Sequence, residues 1–421
     1  MDHIVAYTHR TFFSLANRNF RIFLGGYIVS LTGIWVQSVA QAWLVLQMTN
    51  SGTALGAVIA CQFLPTLLIG AWAGVIVDRL PKRYLLLLTQ AVAFVVTLLF
   101  WFIVATDHVT LWWVYSLALA NGIVTAFDMP ARQTFIFELV GESHVQNAVT
   151  LLALVANTAR VVAPALAAVL LVLPGVGIAG CILINAATFI VLMFSLFALR
   201  SRDMFIFQKA ARAKGQVREG LRYAITNPTV KTVLSAMFLI GLFTCEFMVT
   251  LPLIAKYAFH GNAGAYAALV SAMGIGSIIG GLIQAGRAEA RLSTLAWLST
   301  LLGVFVTAAS MMRSFVLTVI CLALSGMCLI MVTTAANAMM QLHTKPEMRG
   351  RMNALWGMIF MGTTPIGGPM MGWIAEHSSA RLSLAVSGIA ALVAGLAIYG
   401  FLATLPRRHR TQVFVPERAI D

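Results

Sequence analysis

Two ionisable side chains stand inside long apolar runs. Arg160 falls in the run 145–172, and Glu246 falls in the run 230–255, within "GLFTCEFMVTLP". Runs of that length are read as lying in lipid, where a charge is costly, so each residue is a functional candidate by default. Glu246 can bind and release a proton, attract a cationic ligand or pair with Arg160. A buried carboxyl without a partner favours its protonated form, which suits proton exchange. It can equally be an inert structural acid. Arg160 reads as one half of a structural ion pair or as a contact to a ligand. Milder polar groups accompany them. Gln37 and Gln41 are four residues apart and so share a helical face, with Trp35 and Trp43 beside them. Asn121, Asn157 and Asn337 also fall in apolar runs. Each is helix–helix glue or a hydrogen-bond partner for a ligand. Together they describe a largely apolar cavity with scattered polar groups, suited to amphipathic or aromatic molecules.

Catalytic chemistry has no comparable support. The eight histidines lie in tails, in loops or at the ends of apolar runs. There is no HExxH, no GxSxG and no phosphate-cradling GxxxxGK[ST]. Energy for uphill work must then come from an ion gradient or another subunit. The five cysteines, Cys61, Cys181, Cys245, Cys321 and Cys328, show no metal-ligand spacing. They read as small buried hydrophobes, and the 20 scattered methionines read as packing. No cofactor, no metal and no enzymatic activity are expected.

The elements that must position these groups follow from composition. Of 421 residues, 60% are hydrophobic and only 10% charged, against about 25% charged in a soluble domain. Mean hydropathy is +0.89. Such a chain cannot cover its apolar side chains with a charged shell, so it must live in lipid. A bilayer core needs about 20 helical residues per crossing, which predicts twelve spans: 21–47, 53–77, 84–106, 110–133, 145–172, 177–199, 230–255, 264–286, 293–313, 314–340, 351–375 and 382–404. With both termini cytoplasmic, 24 of the 28 lysines and arginines fall on the inside, three (Lys256, Arg313, Arg381) fall outside, and Arg160 lies within a span. The net charge of +14 is therefore positive-inside bias, and nucleic-acid binding is not expected. The N-terminal stretch lacks the apolar core and cleavage site of a signal peptide and is expected to be retained. A multi-pass membrane protein with both termini cytoplasmic is expected.

The spans divide six and six around a polar interruption. The expected organisation is an N-terminal bundle at 1–199, a cytoplasmic linker at 200–229 with an amphipathic segment on the membrane surface, a C-terminal bundle at 230–405 and a cytoplasmic tail at 406–421. The halves look like repeats. "NRNFR" at 17–21 opens one and "NPTVK" at 227–231 the other. Pro164 in "RVVAPALAAVL" aligns with Pro369 in "PIGGPMMGWIA". Parallel six-helix halves are the plan of one large transporter class, with the ligand site between them near the midplane.

Between the second and third spans, "GAWAGVIVDRLPKR" (70–83) sets Asp78, Arg79, Lys82 and Arg83 between two apolar runs. With Gly74, these residues resemble the signature loop of the major facilitator superfamily, with Pro81 in place of the usual small residue. Four further stretches extend the resemblance over residues 17 to 405: "QAWLVLQMTNSGTALGAVIACQFLPTLLIGAWAGVIVDR", "DMPARQTFIFELV", "QNAVTLLALVANTARVVAPALA" and "RGRMNALWGMIFMGTTPIGGPMMG". They resemble the enterobactin-exporter-like branch, which includes macrolide and multidrug efflux pumps.

The resemblance implies an all-α membrane protein of twelve transmembrane helices in two pseudo-symmetric six-helix bundles. The first and fourth helices of each half would line the cavity. Asp78 would act as a latch at the cytoplasmic mouth, with Asp128 at the inner end of the fourth span as its companion. Plain topological charge is the alternative for both. Gly70 and Gly74, one turn apart, allow close helix approach. The corresponding loop of the second half, "GIGSIIGGLIQAGRAEAR", keeps glycines and Arg287 but has no matching Asp. Arg160 and Pro164 resemble the branch's R-x-x-G-P pattern, with Ala163 replacing the glycine. The implied function is secondary export of an amphipathic small molecule by alternating access, the implied partners being protons and membrane lipid, with a monomer sufficient. A dedicated siderophore exporter, a lysophospholipid flippase and a non-transporting sensor remain open.

Overall fold

The computed structural model describes residues 13–205, 216–285, 291–345 and 348–404. Among them are fifteen α-helices and no strand. The tail expected at 406–421, Arg287, and linker residues Lys209, Arg212 and Lys214 lie outside the described residues. The first six helices are α1 (Arg18–Thr49), α2 (Gly52–Arg79), α3 (Lys82–Ala105), α4 (Leu111–Val140), α5 (Val145–Val172) and α6 (Gly177–Phe197). A linker helix, α7 (Gln216–Thr226), follows. Then come α8 (Pro228–Leu239), α9 (Phe247–Leu253), α10 (Ala263–Ala285), α11 (Leu292–Met311), α12 (Phe315–Leu342), α13 (Arg349–Gly362), α14 (Thr364–His377) and α15 (Ala380–Thr404).

Ten helical stretches are long and apolar enough to cross a membrane. Two further crossings complete the twelve. Helix α4 has 30 residues, more than a bilayer core requires, but carries Asp128, Arg132 and Glu138. The run expected as one helix at 351–375 is two helices of 14 residues each, α13 and α14. They meet at Thr363, where Pro365 lacks the N–H that would continue the ladder and is tolerated because it sits in the first turn of α14. The run at 230–255 is likewise interrupted. It passes from α8 through a π-helical segment, Ile240–Thr244, to α9, and then into a second π segment, Ile254–Ala258. Each π turn inserts a residue and so rotates the helix beyond it.

The chain divides into two compact units, Met1–Asn50 with Cys61–Ala211, and Ser51–Ala60 with Arg212–Asp421. Each repeats the other's plan. In the first unit α6 packs on α1 and α3, and α3 on α4; in the second α15 packs on α8 and α11, and α11 on α12. The caps repeat as well. Asn17 Oδ1 accepts from Phe20 N at the start of α1, while its Nδ2 donates to Leu139 O at the end of α4, 2.8 Å away. Asn227 Oδ1 accepts from Val230 N at the start of α8, while its Nδ2 donates to His343 O just past α12, 3.1 Å away. One side chain thus ends two helices in each unit.

Linker helix α7 docks on the second unit. Ala224 joins a cluster with Val230, Leu234, Met340, Met352 and Leu355. Arg351 Nη1 lies 2.6 Å from Glu219 Oε1. Leu221 and Ile225 remain exposed on its other side.

Candidate functional site

The first unit holds a partly open cavity of about 90 Å³ lined by α1, α2, α3, α4 and α6. Its polar lining comes from Gln37 and Gln41 on α1, Gln62 on α2, Gln90 and Thr97 on α3, Asn121, Asp128 and Arg132 on α4, and Asn185 on α6. Helix geometry accounts for the convergence. Gln37 and Gln41 are one turn apart, and Asn121, Asp128 and Arg132 follow at steps of seven and four, which keeps them on one face. Asn185 Nδ2 donates to Gln37 Oε1 at 2.6 Å, tying α6 to α1.

The charge in this cavity is fully engaged. Asp128 Oδ1 accepts from Gln90 Nε2 at 2.7 Å and Thr89 Oγ1 at 2.9 Å. Asp128 Oδ2 accepts from Arg132 Nη2 at 2.5 Å and Nε at 3.1 Å. The Arg132 guanidinium also lies 5.0 Å over the Tyr27 ring. Two acceptors are left over: Gln90 Oε1 and Thr97 Oγ1 are buried without a partner. Buried polar atoms normally find partners, so these await an O–H or N–H donor from water or from a ligand.

Of the residues expected at the cavity, Gln37, Gln41, Asn121 and Asp128 are brought together here. Trp35, Asn157, Arg160 and Asn337 are not among its lining. Arg160 is exposed on α5, its guanidinium 5.5 Å over the Trp35 ring. Asn337 Oδ1 accepts from Gln341 Nε2 one turn on within α12, and it is Gln341 that also donates across to Asn353 on α13. Pro164 is buried within a continuous α5. Pro369 lies within α14.

The charge knot after α2 makes local caps. Lys82 Nζ donates to Leu80 O at 2.9 Å and to Asp78 O at 3.3 Å. Arg83 Nε and Nη2 donate to Leu196 O and Phe197 O at the end of α6, and Nη1 reaches Ser201 Oγ. Cations at a helix C-terminus oppose its partial negative charge. Asp78 is half-buried and Arg79 exposed, as Gly74 is half-buried. The close approach expected near Gly70 falls elsewhere, since its nearest neighbour is Thr66 Cγ2 at 3.8 Å. It is at the other end of α2, at Gly52 and Gly56, that backbones meet.

In the second unit Glu246 stands at the break between the first π segment and α9, in non-helical backbone, and is 2% exposed. Its carboxyl is hydrogen-bonded by Thr364, while its Oε1 is buried without a partner. The glycines Gly367 and Gly368 of α14 make room for it: a Cβ on Gly367 would lie 3.0 Å from Oε1.

Several residues in these sites carried no sequence signal of their own. Gln62, Gln90, Thr97 and Asn185 are ordinary polar residues in apolar runs, and only a face-by-face alignment of helices groups them. Glu138, beyond the apolar run 110–133, is another. Its half-buried carboxyl lies within electrostatic reach of Lys82. Its proximity to the charge knot comes from the packing of α3 against α4.

The family model described as transmembrane secretion effector matches residues 9–414. The staphyloferrin A transporter of Staphylococcus aureus is 22% identical over 381 residues, covering 90% of this chain and 95% of that protein. The enterobactin exporter EntS of Citrobacter koseri is 25% identical over 411 residues, covering 94% of each. Among solved structures, the nucleoside transporter NupG (D323A mutant) superposes with a TM-score of 0.71 at 13% identity, over 91% of this chain and 98% of that one. A bacterial homologue of the iron transporter ferroportin gives 0.70 at 16% identity, over 91% and 98%. These likenesses establish the fold, and the relatives are transporters rather than enzymes. The chain is a multi-pass membrane transporter of the major facilitator superfamily and belongs to its transmembrane secretion effector family.

Proposed function

We propose that this transporter exports a small amphipathic molecule of the siderophore class across a bacterial inner membrane by alternating access, with protons entering in exchange. The positive-inside distribution supports cytoplasmic termini. The siderophore transporters among the relatives favour that cargo class. The observation that carries the reading is the amide-rich cavity of the first unit, with its unpartnered acceptors Gln90 Oε1 and Thr97 Oγ1. An apolar cavity of about 150 Å³ takes one benzene. At about 90 Å³, this one takes a polar group of the cargo, or about three waters. Hydroxyl or amide donors on a siderophore match the acceptors. Glu246 carries the proton, being buried with one oxygen unsatisfied. The Asp78 knot with Gly74, Arg79 and Asp128 serves the inner gate, and a monomer performs the cycle within the lipid.

Uptake into everted membrane vesicles tests this. The cargo panel holds siderophores, dyes, cationic drugs and lysophospholipid, with the proton gradient intact or collapsed by an uncoupler. Gradient-dependent siderophore uptake is expected. Thr97→Val should raise KM with little change in kcat, and Glu246→Gln should abolish the gradient dependence. Uptake confined to cationic drugs or lysophospholipid would replace the cargo class. Gradient dependence surviving in Glu246→Gln would remove that residue from coupling.

A further inference from the structure

The last turn of α6 draws in basic side chains from two other helices of the first unit. Arg83, at the start of α3, donates from Nε to Leu196 O at 2.9 Å, from Nη2 to Phe197 O at 3.0 Å and from Nη1 to Ser201 Oγ at 2.7 Å. Arg18, at the start of α1, reaches Ala198 O from Nη1 at 3.4 Å. Arg200 and Arg202 follow directly in the chain, and both are exposed. Their backbone is held in place. Buried Asn19 donates from Nδ2 to Arg200 O at 2.9 Å and accepts from Arg200 N at 3.0 Å. Beyond the turn Ser201–Asp203, Phe205 N donates to Glu138 O at 2.9 Å, near the end of α4.

These four arginines are short of counter-charge. None has a carboxylate within ion-pair distance among the described residues, unlike Arg132 with Asp128 and Arg351 with Glu219. The turn's own Asp203 is exposed beside them. A guanidinium carries five N–H donors. Arg83 uses three and Arg18 one on the contacts above, so both keep donors for a further acceptor. An apolar stripe adjoins the arginines on the side of the span. Helix α6 presents Val191, Phe194 and Phe197 at steps of three, and α3 presents Tyr84 and Leu88 one turn apart, all exposed. Because α6 packs on α1 and α3, this outer stripe faces lipid.

We propose that this end of α6 binds an anionic phospholipid, its phosphodiester held by Arg18, Arg83, Arg200 and Arg202 and its acyl chains lying along Phe194, Phe197 and Leu88. Phosphate oxygens take the remaining guanidinium donors in charge-assisted hydrogen bonds. Helix α6 leaves the apolar layer at Phe197, which sets the guanidinium groups at headgroup depth, where aromatic side chains such as Tyr84 also sit. A soluble anion would satisfy the arginines and leave the apolar stripe bare, whereas an acyl chain covers it. A zwitterionic headgroup brings an ammonium group against four cations, so a phosphodiester with an uncharged remainder, as in phosphatidylglycerol, is preferred. The positive-inside distribution makes the leaflet the inner one. The bound lipid braces the start of the linker, because Arg200 and Arg202 stand on the segment that runs from α6 to the end of α4. Neither cargo nor proton exchange enters this site, so it stands or falls apart from the export reading.

Brominated lipids quench a nearby indole and so read the site directly. The full-length Phe197→Trp variant is reconstituted in phosphatidylcholine vesicles carrying brominated phosphatidylglycerol or brominated phosphatidylcholine. Quenching of the nine native tryptophans, measured with Phe197 intact, is subtracted. The phosphatidylglycerol should quench at a severalfold lower mole fraction. Adding Arg200→Gln/Arg202→Gln should remove that preference. Adding Arg222→Gln/Lys231→Gln instead takes the same charge from exposed positions of the second unit and should keep it. Thermal unfolding of the unmodified protein in detergent gives a second reading that does not depend on the new tryptophan: phosphatidylglycerol should raise Tm and inorganic phosphate should not. Equal quenching by the two lipids, an equal loss in both double variants, or a Tm rise reproduced by inorganic phosphate would overturn the proposal.

Discussion

In the first unit Asp128 is satisfied four times over, by Thr89, Gln90 and two nitrogens of Arg132, within a cavity walled by amides. In the second unit Glu246 has Thr364 and one bare oxygen, in a helix interrupted by a π turn. The scaffolds around them are alike, down to the asparagine that ends two helices in each. The difference therefore lies in the sites rather than the fold. A paired carboxylate in a polar cavity is costly to disturb. A carboxyl without a counter-ion, at a point where the helix already departs from regular geometry, can change state without breaking an ion pair. The two units share one frame, and they differ in how each holds its buried carboxyl.

Stability separates the two carboxyls most strongly. Asp128→Ala strands the Arg132 guanidinium in a part-buried site, and orphaning one member of such a pair costs about 3 kcal/mol. Thermal unfolding in detergent should show it as a large fall in Tm, and the double variant Asp128→Ala/Arg132→Ala should cost less than the sum of the singles. Glu246→Gln should move stability by less than about 1 kcal/mol, since no ion pair is lost. Comparable losses at both positions would erase the distinction between the units.

A smaller effect tests the likeness beneath the difference. Asn17→Ala removes an N-cap, worth about 1 kcal/mol, and a hydrogen bond to Leu139 O, worth about 1 more. Asn227→Ala removes the same two bonds in the second unit. Each should lower unfolding stability by about 2 kcal/mol, with the two values close to each other. A large loss at one and none at the other would mean that the caps are not equivalent.

The scaffold was legible because its signals are local. Apolar run length marks the crossings, and the Asn17 and Asn227 repeats lie at their starts. Charged loops mark the ends of the spans. The breaks at Thr363 and at Ile240–Thr244 were less visible. Pro365 does flag the first. The second has no proline or other local breaker within Ile240–Thr244 to announce it. The candidate cavity was half legible. Gln37 and Gln41 betray a polar face by their spacing, and Asn121 and Asp128 share a helix. Gln90, Thr97 and Asn185 join them only through the packing of α3 and α6 on α1 and α4. Glycines at 52, 56, 367, 368 and 372 look like generic membrane packing until the structure shows which backbones they meet.

The mildest effect concerns Glu376, past the end of the apolar run 351–375, whose Oε2 accepts from Ser51 Oγ and Thr53 N at the start of α2 and so clamps α14 to it. Hydrogen bonds from Ser51, and then from Thr53, hold the Glu376 carboxyl below the usual carboxylate range. A folded pKa below the unfolded one adds stability that is present above the unfolded value and is lost as pH falls through the folded value. The clamp is therefore intact at neutral pH and weakens only below about pH 4. Because Glu376 is exposed, its contribution is under about 1 kcal/mol. Glu376→Gln keeps an acceptor for Ser51 Oγ and Thr53 N but removes the charge at the start of α2. Its unfolding curve at neutral pH should sit slightly below that of the wild type, and the two should converge as the medium is acidified. Curves that stay equally separated into acid would show that the carboxylate charge plays no part in holding α2 to α14.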